Sequence, residues 1–498
     1  MSEKELVSRR ARLAALREKG IDPYPARVGP RQRIVDVRRL FDDRDTEALE
    51  SDPQVVAVVG RVIAVRSFGK LIFLQIFEDG AEIQASAKKK EIDGELFDRI
   101  RDFEVGDFVW VEGPIWRTRT GELTVDVRAA QIAAKSLRPL PEKWHGLSDV
   151  ETRTRQRYLD LLSNEETRRV VILRSRTISA MRAFLDSRGF LEVETPVLQP
   201  IYGGAAAEPF VTHHNRYEQR LYLRISDELY LKRLVVGGLD RVYEIGHNFR
   251  NEGISRKHNP EFTMMECYQA YADYRDMMDL AEEMIGELAA KVCGTRQIEY
   301  RGAKLDLSAP WPRVPLCEAI REATQIDVLE HDDLDSLREA MRSRGLDPAG
   351  APTWAKLVDD LFSDQVEPGL IQPMFITDHP LDLSPLAKRS AADPRLAERF
   401  EPYMAGMEIG NAFSELNDPD DQRARLTAQQ KAHAAGDSEA HPLDEDYVTA
   451  LEHGLPPTGG LGIGVDRLVM ILADVAHLRE VILFPHLRPR SSEASEAP

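Results

Sequence analysis

Cysteine is scarce in this chain of 498 residues. Its three cysteines, Cys267, Cys293 and Cys317, have neither the spacing of a zinc site nor that of a disulfide framework. The sequence also lacks an apolar run long enough to cross a bilayer, and its first residues alternate charge with short apolar side chains, unlike a signal peptide. These absences argue against a disulfide-stapled secreted scaffold and predict a cytoplasmic protein without a membrane partner.

An excess of basic residues is absent as well. The chain has 66 Lys and Arg against 84 Asp and Glu, a formal net charge of −18. That balance argues against a protein that grips nucleic acid through a general basic coating, although it leaves room for a local basic groove. The length predicts two or more domains with large cores. Binding of nucleic acid would therefore depend on a few placed sites.

The segment from Arg241 to Tyr274 concentrates arginines, carboxylates, a histidine and aromatics between two strand-like stretches. Its predicted loop and return strand carry the following residues: Phe249, Arg250, Glu252, Phe262, Glu266 and Tyr268. Alternate residues of a strand share one face, so cation, carboxylate and aromatic would converge there, as in a nucleotide site. The alternative is a hairpin whose arginine and glutamate form only a solvated ion pair.

Two further segments strengthen this interpretation. In GLGIGVDRLVMIL, from Gly460 to Leu472, the glycines would let another molecule approach a strand, and Arg467 opens a predicted helix that favours phosphate. A glycine-rich bend packed on a neighbouring strand is the alternative, and the adjacent Asp466 and Arg467 weigh against it. The other segment, RGFLEVETPVL, follows a helix that starts near Glu166 and contains Pro196 at the end of a predicted strand.

Together the three segments resemble, in order and in register, the signature motifs of class II aminoacyl-tRNA synthetases: Pro196, Phe249–Glu252 and Gly460–Arg467. Longer stretches such as RISDELYLKRLVVGG and GMEIGNAFSELNDPDDQ resemble the lysine-specific family of subclass b. The resemblance covers most of the chain and is weakest between about 306 and 367. It implies activation of L-lysine by ATP to lysyl-adenylate, transfer of lysine to the 3′ end of tRNA(Lys), and a homodimer with the Pro196 segment at its interface.

The fold expected is α+β: the strand pattern predicts an N-terminal OB-fold β-barrel, and the resemblance implies a class II synthetase catalytic domain built on an antiparallel sheet flanked by helices. Five short strands between Val55 and Ala133, with a helical stretch from Lys90 to Phe103 after the third, predict the barrel. The predicted divisions are a helical extension (1–50), an OB-fold anticodon-binding domain (51–137), a linker (138–165), a catalytic domain (166–490) with a helical insertion at about 306–388, and a disordered tail (491–498).

The resemblance assigns ATP contacts to Arg250, Glu252, His258, Phe262, Glu401 and Arg467. Arg250 would hold the α-phosphate, Arg467 the γ-phosphate, and Phe262 would stack under the adenine. The two arginines are the predicted catalytic residues, since positioning and cations supply most of the catalysis in this chemistry. Glu401 and Glu408 would hold Mg²⁺, which prefers oxygen ligands. The alternative is a solvated face of this acidic chain, which without the motif would be favoured for Glu401 more than for Glu408.

Selection of lysine requires carboxylates for two ammonium groups, because a buried carboxylate is tolerated only beside a cation or donors. The resemblance assigns this task to Gly204, Glu228, Glu266, Tyr268, Asn411 and Glu415. Glu228 would bind the α-amino group, and Glu415 with Tyr268 would bind the ε-ammonium group. The alternative for Glu228 is a surface charge on a helix. An aspartate side chain would be repelled by Glu415, which argues against the related aspartate-specific enzymes.

Four residues of the predicted barrel match the anticodon-reading positions of the resembled family: Arg66, Phe73, Gln84 and Glu122. An exposed Phe73 would stack on an unpaired base, while the polar side chains would bond base edges. For Phe73 the alternative is a place in the barrel core.

Three residues depart from the family pattern. Glu208 and Met407 stand where basic residues are common, and Ala412 replaces a common glycine. Two other functions are conceivable: a ligase that modifies a protein, whose relatives lack the barrel, and a non-catalytic paralogue that would have lost Arg250 or Arg467. Because the barrel and both arginines are present, the sequence favours an active tRNA ligase.

Overall fold

The computed structural model describes residues 3–140, 149–348, 350–434 and 442–489, and the chain divides into two compact units, 1–146 and 147–498. The predicted tail (491–498) and residues 141–148 of the predicted linker lie outside the described residues. Among the helices that the structure describes, none is both long and apolar enough to cross a membrane.

The N-terminal unit is a barrel preceded by short helices. Its elements are α1 (Glu3–Glu18), α2 (Ile34–Phe41), α3 (Thr46–Ser51), β1 (Val55–Ser67), β2 (Leu71–Glu78), β3 (Ala81–Lys88), α4 (Gly94–Arg101), β4 (Phe108–Arg117), β5 (Leu123–Asp126) and β6 (Ala129–Ala134). The strand order is β1-β2-β3-β5-β4-β6, and pairing of β1 with β4 closes the sheet. Alternate residues of β2 and β4 are buried, so one face of each strand fills the barrel. This is the predicted OB-fold.

The last predicted strand of the barrel is in fact two strands, β5 and β6. Both pair with β4, β5 through Ile115–Arg117 and β6 through Phe108–Glu112. Between these stretches lies Gly113, where a Cβ atom would overlap the carbonyl oxygen of Asp126. β4 continues without a break through Gly113, whereas its partner is interrupted at residues 127 and 128, between β5 and β6.

The C-terminal unit begins with helices and then builds a sheet. Its helices are α5 (Val150–Arg155), α6 (Arg157–Ser163), α7 (Glu165–Ser187), α8 (Glu228–Val236), α9 (Tyr274–Cys293), α10 (Leu316–Thr324), α11 (Leu334–Ser343), α12 (Trp354–Gln365), α13 (Pro419–Ala434), α14 (Glu445–Glu452), α15 (Val465–Leu472) and α16 (Leu478–Val481), with 3-10 turns at Val328–Glu330, Glu367–Gly369 and Leu381–Leu383. Its strands are β7 (Leu191–Glu192), β8 (Leu198–Gln199), β9 (Val211–His214), β10 (Gln219–Leu223), β11 (Arg241–Phe249), β12 (Glu261–Ala270), β13 (Gln297–Tyr300), β14 (Ala303–Asp306), β15 (Arg313–Pro315), β16 (Met374–Thr377), β17 (Arg399–Met404), β18 (Met407–Glu408), β19 (Gly410–Ser414) and β20 (Thr458–Gly464).

The central sheet has the order β15-β16-β17-β19-β20-β12-β11-β7, with β18 paired to β17. Its pairs are antiparallel except at the two ends, where β7 and β15 run parallel to their neighbours. Met265 and Cys267 of β12 belong to the core that includes α7, α9 and α15. Glu266 and Tyr268 lie at the alternate positions and therefore face the other side. The predicted hairpin thus forms, and its functional residues share one face.

The predicted linker (138–165) and the predicted helical insertion (about 306–388) contain helices or strands beyond those predicted for them. In the predicted linker, α5 and α6 are packed: Arg157 donates to Asp160 (2.9 Å) and to the carbonyl oxygens of Leu483 (3.1 Å) and Arg479 (2.7 Å). The range predicted as a helical insertion does contain α10, α11 and α12, which share a core of their own. It also contains β15 and β16, however, which form one end of the central sheet.

Candidate active site

One cavity of about 340 Å³ lies on the polar side of the central sheet. It brings together every residue predicted for ATP, lysine or Mg²⁺: Gly204, Glu228, Arg250, Glu252, His258, Phe262, Glu266, Tyr268, Glu401, Glu408, Asn411, Glu415 and Arg467. These residues come from positions 204 to 467, so the sheet gathers side chains that are remote in sequence. The roles of the individual residues stay predictions.

One end of the cavity is rich in buried carboxylates. Ser226 donates to Glu266 Oε1 (2.9 Å) and the Tyr268 hydroxyl donates to Glu266 Oε2 (3.2 Å). Burial, followed by the nearby charges of Asp227 and Glu228, raises the pKa of Glu266 well above its usual range. This end of the cavity therefore carries an excess of acidic groups that a cationic ligand would relieve.

Two of these carboxylates share a cation that sequence reasoning missed. Lys232 Nζ forms ion pairs with both Glu228 and Glu415, and all three side chains are buried. Burial opposes the charge of Lys232, but the two carboxylates keep its pKa above the ordinary value. Glu415 Oε1 is buried without a hydrogen-bond partner among the described residues. An acceptor in that state favours a donor from a ligand. Glu228 is thus not the surface helix charge of the alternative interpretation.

Two glycines leave room for this cluster. A Cβ atom on Gly460 would overlap Glu415 Oε1 and lie 2.6 Å from the Tyr268 ring. Gly204 has a φ of +88°, and a Cβ atom there would lie 2.8 Å from Ser226 Oγ. At Gly460 the close approach is therefore made by pocket side chains of the protein itself, whereas the sequence predicted the approach of another molecule.

The opposite end of the cavity carries arginines. Arg250 Cζ lies 5.1 Å from the centroid of the Phe262 ring, and Arg250 Nε is buried without a hydrogen-bond partner. Burial lowers the pKa of Arg250. Within the described part of the chain, no ion pair joins Arg250 to Glu252, which is exposed at the rim. The solvated pair of the alternative interpretation therefore does not form, and the guanidinium is directed into the cavity.

Arg467, at the start of α15, anchors the acidic residue predicted to bind metal. Its Nη1 atom donates to the carbonyl oxygen (2.8 Å) and to Oε2 (3.0 Å) of Glu408. Burial opposes the charge of Glu408, but Arg467 and then Arg250 hold the pKa of that carboxyl below its usual value. Glu408 is therefore ionised at neutral pH and available as an oxygen ligand.

The second predicted metal ligand, Glu401, lies on β17 between Arg399 and Tyr403, which are each two residues away and bond to it. Arg399 donates to Glu401 Oε1 (2.5 Å), and the Tyr403 hydroxyl donates to Oε2 (2.6 Å). Burial raises the pKa of Glu401 to about 7. A cation beside it would restore the charged form. In the described ranges, no group of three or more His, Cys, Asp and Glu side chains is placed to bind a metal, so a role of the two glutamates in binding Mg²⁺ stays a prediction.

His258 lies at the rim beside Arg467 and Lys257. Its Nδ1 atom is 2.8 Å from Ser255 Oγ. Although part of the residue is exposed, partial burial and the charges of Arg467 and Lys257 lower the pKa of His258 to about 4. The imidazole is therefore neutral at physiological pH and acts as a hydrogen-bonding group.

Sequence reasoning missed Arg399 as well as Lys232. Arg399 Nε donates to Asn411 Oδ1 (2.8 Å), so this arginine links the predicted lysine and metal residues. Weak signals existed for both: Lys232 is one helical turn after Glu228, and Arg399 is two residues before Glu401 on a strand.

The structure also places the three residues that depart from the family pattern. Met407 and Ala412 are buried in the main core, where apolar side chains fit, and Glu208 is exposed.

The four residues predicted to read the anticodon share one face of the barrel. Arg66 of β1 lies opposite Phe73 of β2, and Phe73 lies opposite Ser86 of β3. Gln84, two residues before Ser86, lies opposite Thr124 of β5, and Glu122 is two residues before Thr124. The neighbours of Phe73, Ile72 and Leu74, fill the core, so Phe73 itself lies on the outer face. A further aromatic residue, Phe68, is 66% exposed, with its ring centroid 6.4 Å from that of Phe73.

Family models for "tRNA synthetases class II (D, K and N)" and "OB-fold nucleic acid binding domain" match residues 149–488 and 56–133. The fold and the site thus define a class II tRNA synthetase. "Lysine--tRNA ligase" proteins of Chloroflexus aurantiacus and Roseiflexus castenholzii are each 54% identical to this chain. Both matches cover 98% of this chain, and they cover 99% of the Chloroflexus protein and 100% of the Roseiflexus protein. That of Moorella thermoacetica is 49% identical over 98% of this chain and 99% of its own. The chain belongs to the lysine--tRNA ligase family, which confirms the predicted resemblance and α+β fold.

Proposed function

We propose that the protein activates L-lysine with ATP to lysyl-adenylate and transfers the lysyl group to the 3′ end of tRNA(Lys). The observation that carries this proposal is the polarity of one cavity. Buried carboxylates, Glu228, Glu266 and Glu415, line one end, and Arg250 and Arg467 line the other. A dicationic amino acid and a polyanionic nucleotide are complementary to these two ends.

At the acidic end, Glu228 would bind the α-amino group of lysine. The unsatisfied Oε1 atom of Glu415, with the Tyr268 hydroxyl, would receive the ε-ammonium group. Glu266 and Asn411 would complete the pocket, and Gly204 admits the substrate backbone closely. A neutral or acidic side chain would leave Glu415 Oε1 without a donor in a buried site, so these contacts select against other amino acids.

At the arginine end, the substrate carboxylate attacks the α-phosphorus of ATP and pyrophosphate leaves. Negative charge grows on the phosphoryl oxygens, and Arg250 would stabilise it, while Arg467 would hold the γ-phosphate. Phe262 would stack on the adenine, and Glu252 and His258 would contact ATP from the rim. Glu401 and Glu408 would hold Mg²⁺, which when bound neutralises phosphate charge.

ATP–pyrophosphate exchange with each of the twenty amino acids tests this proposal. We expect exchange with lysine to exceed that with every other amino acid, and subsequent charging of mixed tRNA to attach lysine. Absence of lysine-dependent exchange in the purified protein would contradict the proposed reaction. Exchange without charging would instead favour a ligase with another acceptor. We place the reaction in the cytoplasm, as the sequence predicts.

We propose further that the barrel, residues 51–137, reads the anticodon through Arg66, Phe73, Gln84 and Glu122. The Phe73→Ala variant should lower kcat/KM for charging tRNA(Lys) by about 5- to 150-fold, since stacking on one base contributes about 1–3 kcal/mol. Exchange should stay unchanged, because it needs no tRNA. Phe73→Trp, which keeps an aromatic face, should restore charging, and Val55→Ala, an exposed apolar change on the same barrel, should have no effect. Equal losses in charging and exchange would contradict an anticodon role.

We also propose a homodimer with the Pro196 segment at its interface. Apolar side chains on and near this segment are exposed: Leu191, Val197, Leu198 and Val211. Such a grouping is typical of an interaction surface, and a closed two-fold dimer is the commonest oligomer. Light scattering should give twice the chain mass of 56.3 kDa, and Leu198→Asp should shift the protein toward monomer. A monomeric wild-type protein at micromolar concentration would argue against this proposal.

A further inference from the structure

The buried lysine behind the acidic end of the cavity has no role in the reaction as proposed above. Lys232 reaches from the first turns of α8 toward Glu415, which follows β19, and is fully buried. Its Nζ atom contacts one oxygen of Glu228 and one of Glu415. It therefore bridges the two carboxylates that we assign to the two ammonium groups of the substrate.

We infer that Lys232 is a positioning residue of the lysine pocket, whose ammonium group keeps Glu228 and Glu415 ionised and oriented toward the substrate. The inference rests on the proposed function, because it concerns the same two carboxylates. A bridging cation fixes one oxygen of each carboxylate. At Glu415 this leaves Oε1, which lacks a hydrogen-bond partner among the described residues, for the ligand.

Aromatic rings surround the ammonium group of Lys232. Its Nζ atom lies 5.1 Å from the ring centroid of Phe413 and 6.0 Å from those of Tyr268 and Tyr447. Aromatic faces accept a cation but leave little room for water. The ammonium group is thus the counter-charge that Glu228 and Glu415 both contact directly.

The charge balance around the pair shows why a resident cation matters. Other charged or titratable groups near the Glu228–Lys232–Glu415 cluster come from several elements: Asp227, Glu266, Tyr268, Arg399 and Tyr447. Acidic groups dominate this set. Burial raises the pKa of Glu228 and of Glu415, and the charge of Lys232 opposes that rise in both. Without Lys232, Glu228 and Glu415 would be adjacent buried carboxylates, and two such groups do not both ionise at neutral pH. One would hold a proton and could not pair with an ammonium group of lysine.

Lys232→Met tests this inference, since methionine keeps an unbranched side chain without the charge. We expect the KM for lysine in pyrophosphate exchange to rise about 30-fold or more at pH 7, as for loss of one partner from a buried charge pair. The carboxyl that holds the proton must lose it before lysine binds. The KM of the variant should therefore fall as pH rises from 6 to 8.5, by up to about tenfold per pH unit, while the wild-type KM changes little. The KM for ATP should stay within about twofold of wild type, because the ATP end is unchanged.

Leu231→Ala on the same helix is the matched control, because Leu231 is buried and uncharged. It should lower the melting temperature without raising the KM for lysine or making it pH-dependent. If Lys232→Met behaves like this control, its role is structural and the inference is wrong.

A measurement on the wild-type protein covers the case in which Lys232→Met does not fold. Titration calorimetry of lysine binding at pH 7, in two buffers of different ionisation enthalpy, should show almost no proton release. Release of about one proton would mean that one carboxyl is protonated before lysine binds, and would overturn the inference. Wild-type protein that neither binds lysine nor supports exchange with it would overturn the proposed function as well, so the two failures are distinguishable.

Discussion

Replacing Arg250 by alanine should reduce the rate of lysine-dependent ATP–pyrophosphate exchange by about 10²- to 10³-fold, the usual cost of removing one preorganised donor to transition-state charge. Arg250 is directed into the cavity, packs on Phe262, and keeps its Nε atom free of hydrogen bonds to the described residues. Among the residues that the structure describes, no carboxylate forms an ion pair with this guanidinium. Its loss should act on kcat, whereas the KM for lysine should change little.

Two variants sharpen this test. Arg250→Lys keeps the charge but loses the planar fork, so it should recover only a minor part of the activity. Arg256→Ala removes an exposed arginine from the same loop and should leave exchange close to wild type. If Arg250→Ala and Arg256→Ala behave alike, Arg250 does not hold the reacting phosphate.

The parts of the site that depend on a local pattern of residues, such as alternation along a strand, could be predicted from the sequence. Alternation along Glu261–Ala270 places Glu266 and Tyr268 on one face, and the structure shows that face lining the cavity. The helix that begins beside Arg467 could likewise be predicted from the glycines and the apolar run. Both features depend on residues that are close in sequence, so the backbone period determines them.

The residues that could not be predicted depend on contacts between distant segments. Lys232 and Glu415 are far apart in the sequence, and nothing near Lys232 indicates that the two residues form an ion pair. A lysine one turn after a glutamate usually marks a solvated helix face. Similarly, the interruption between β5 and β6 adjoins Asp126, which Gly113 of β4 approaches closely across the sheet. Tertiary packing decides both outcomes.

The largest effect on substrate selection is expected from Glu415→Gln. The amide is nearly isosteric but uncharged, so the ε-ammonium group of lysine would enter a buried site without its counter-charge. Removing one partner of a buried charge pair costs about 2–5 kcal/mol, which corresponds to a rise of about 30- to 5,000-fold in the KM for lysine. Lys232 would still be paired with Glu228, so the folded state should persist.

The Glu415→Asp variant distinguishes the effect of the side-chain charge at this position from the effect of the side-chain length. It keeps the carboxylate but withdraws it by one methylene group, and Gly460 leaves space beside it. The KM for lysine should rise less than in Glu415→Gln, because a charge in the pocket still attracts the ammonium group. The KM for ATP should be the same in both variants, since the arginine end is unaltered. A Glu415→Gln enzyme with a wild-type KM for lysine would mean that the ε-ammonium group binds elsewhere, and the assignment of the two ends of the cavity would then have to be revised.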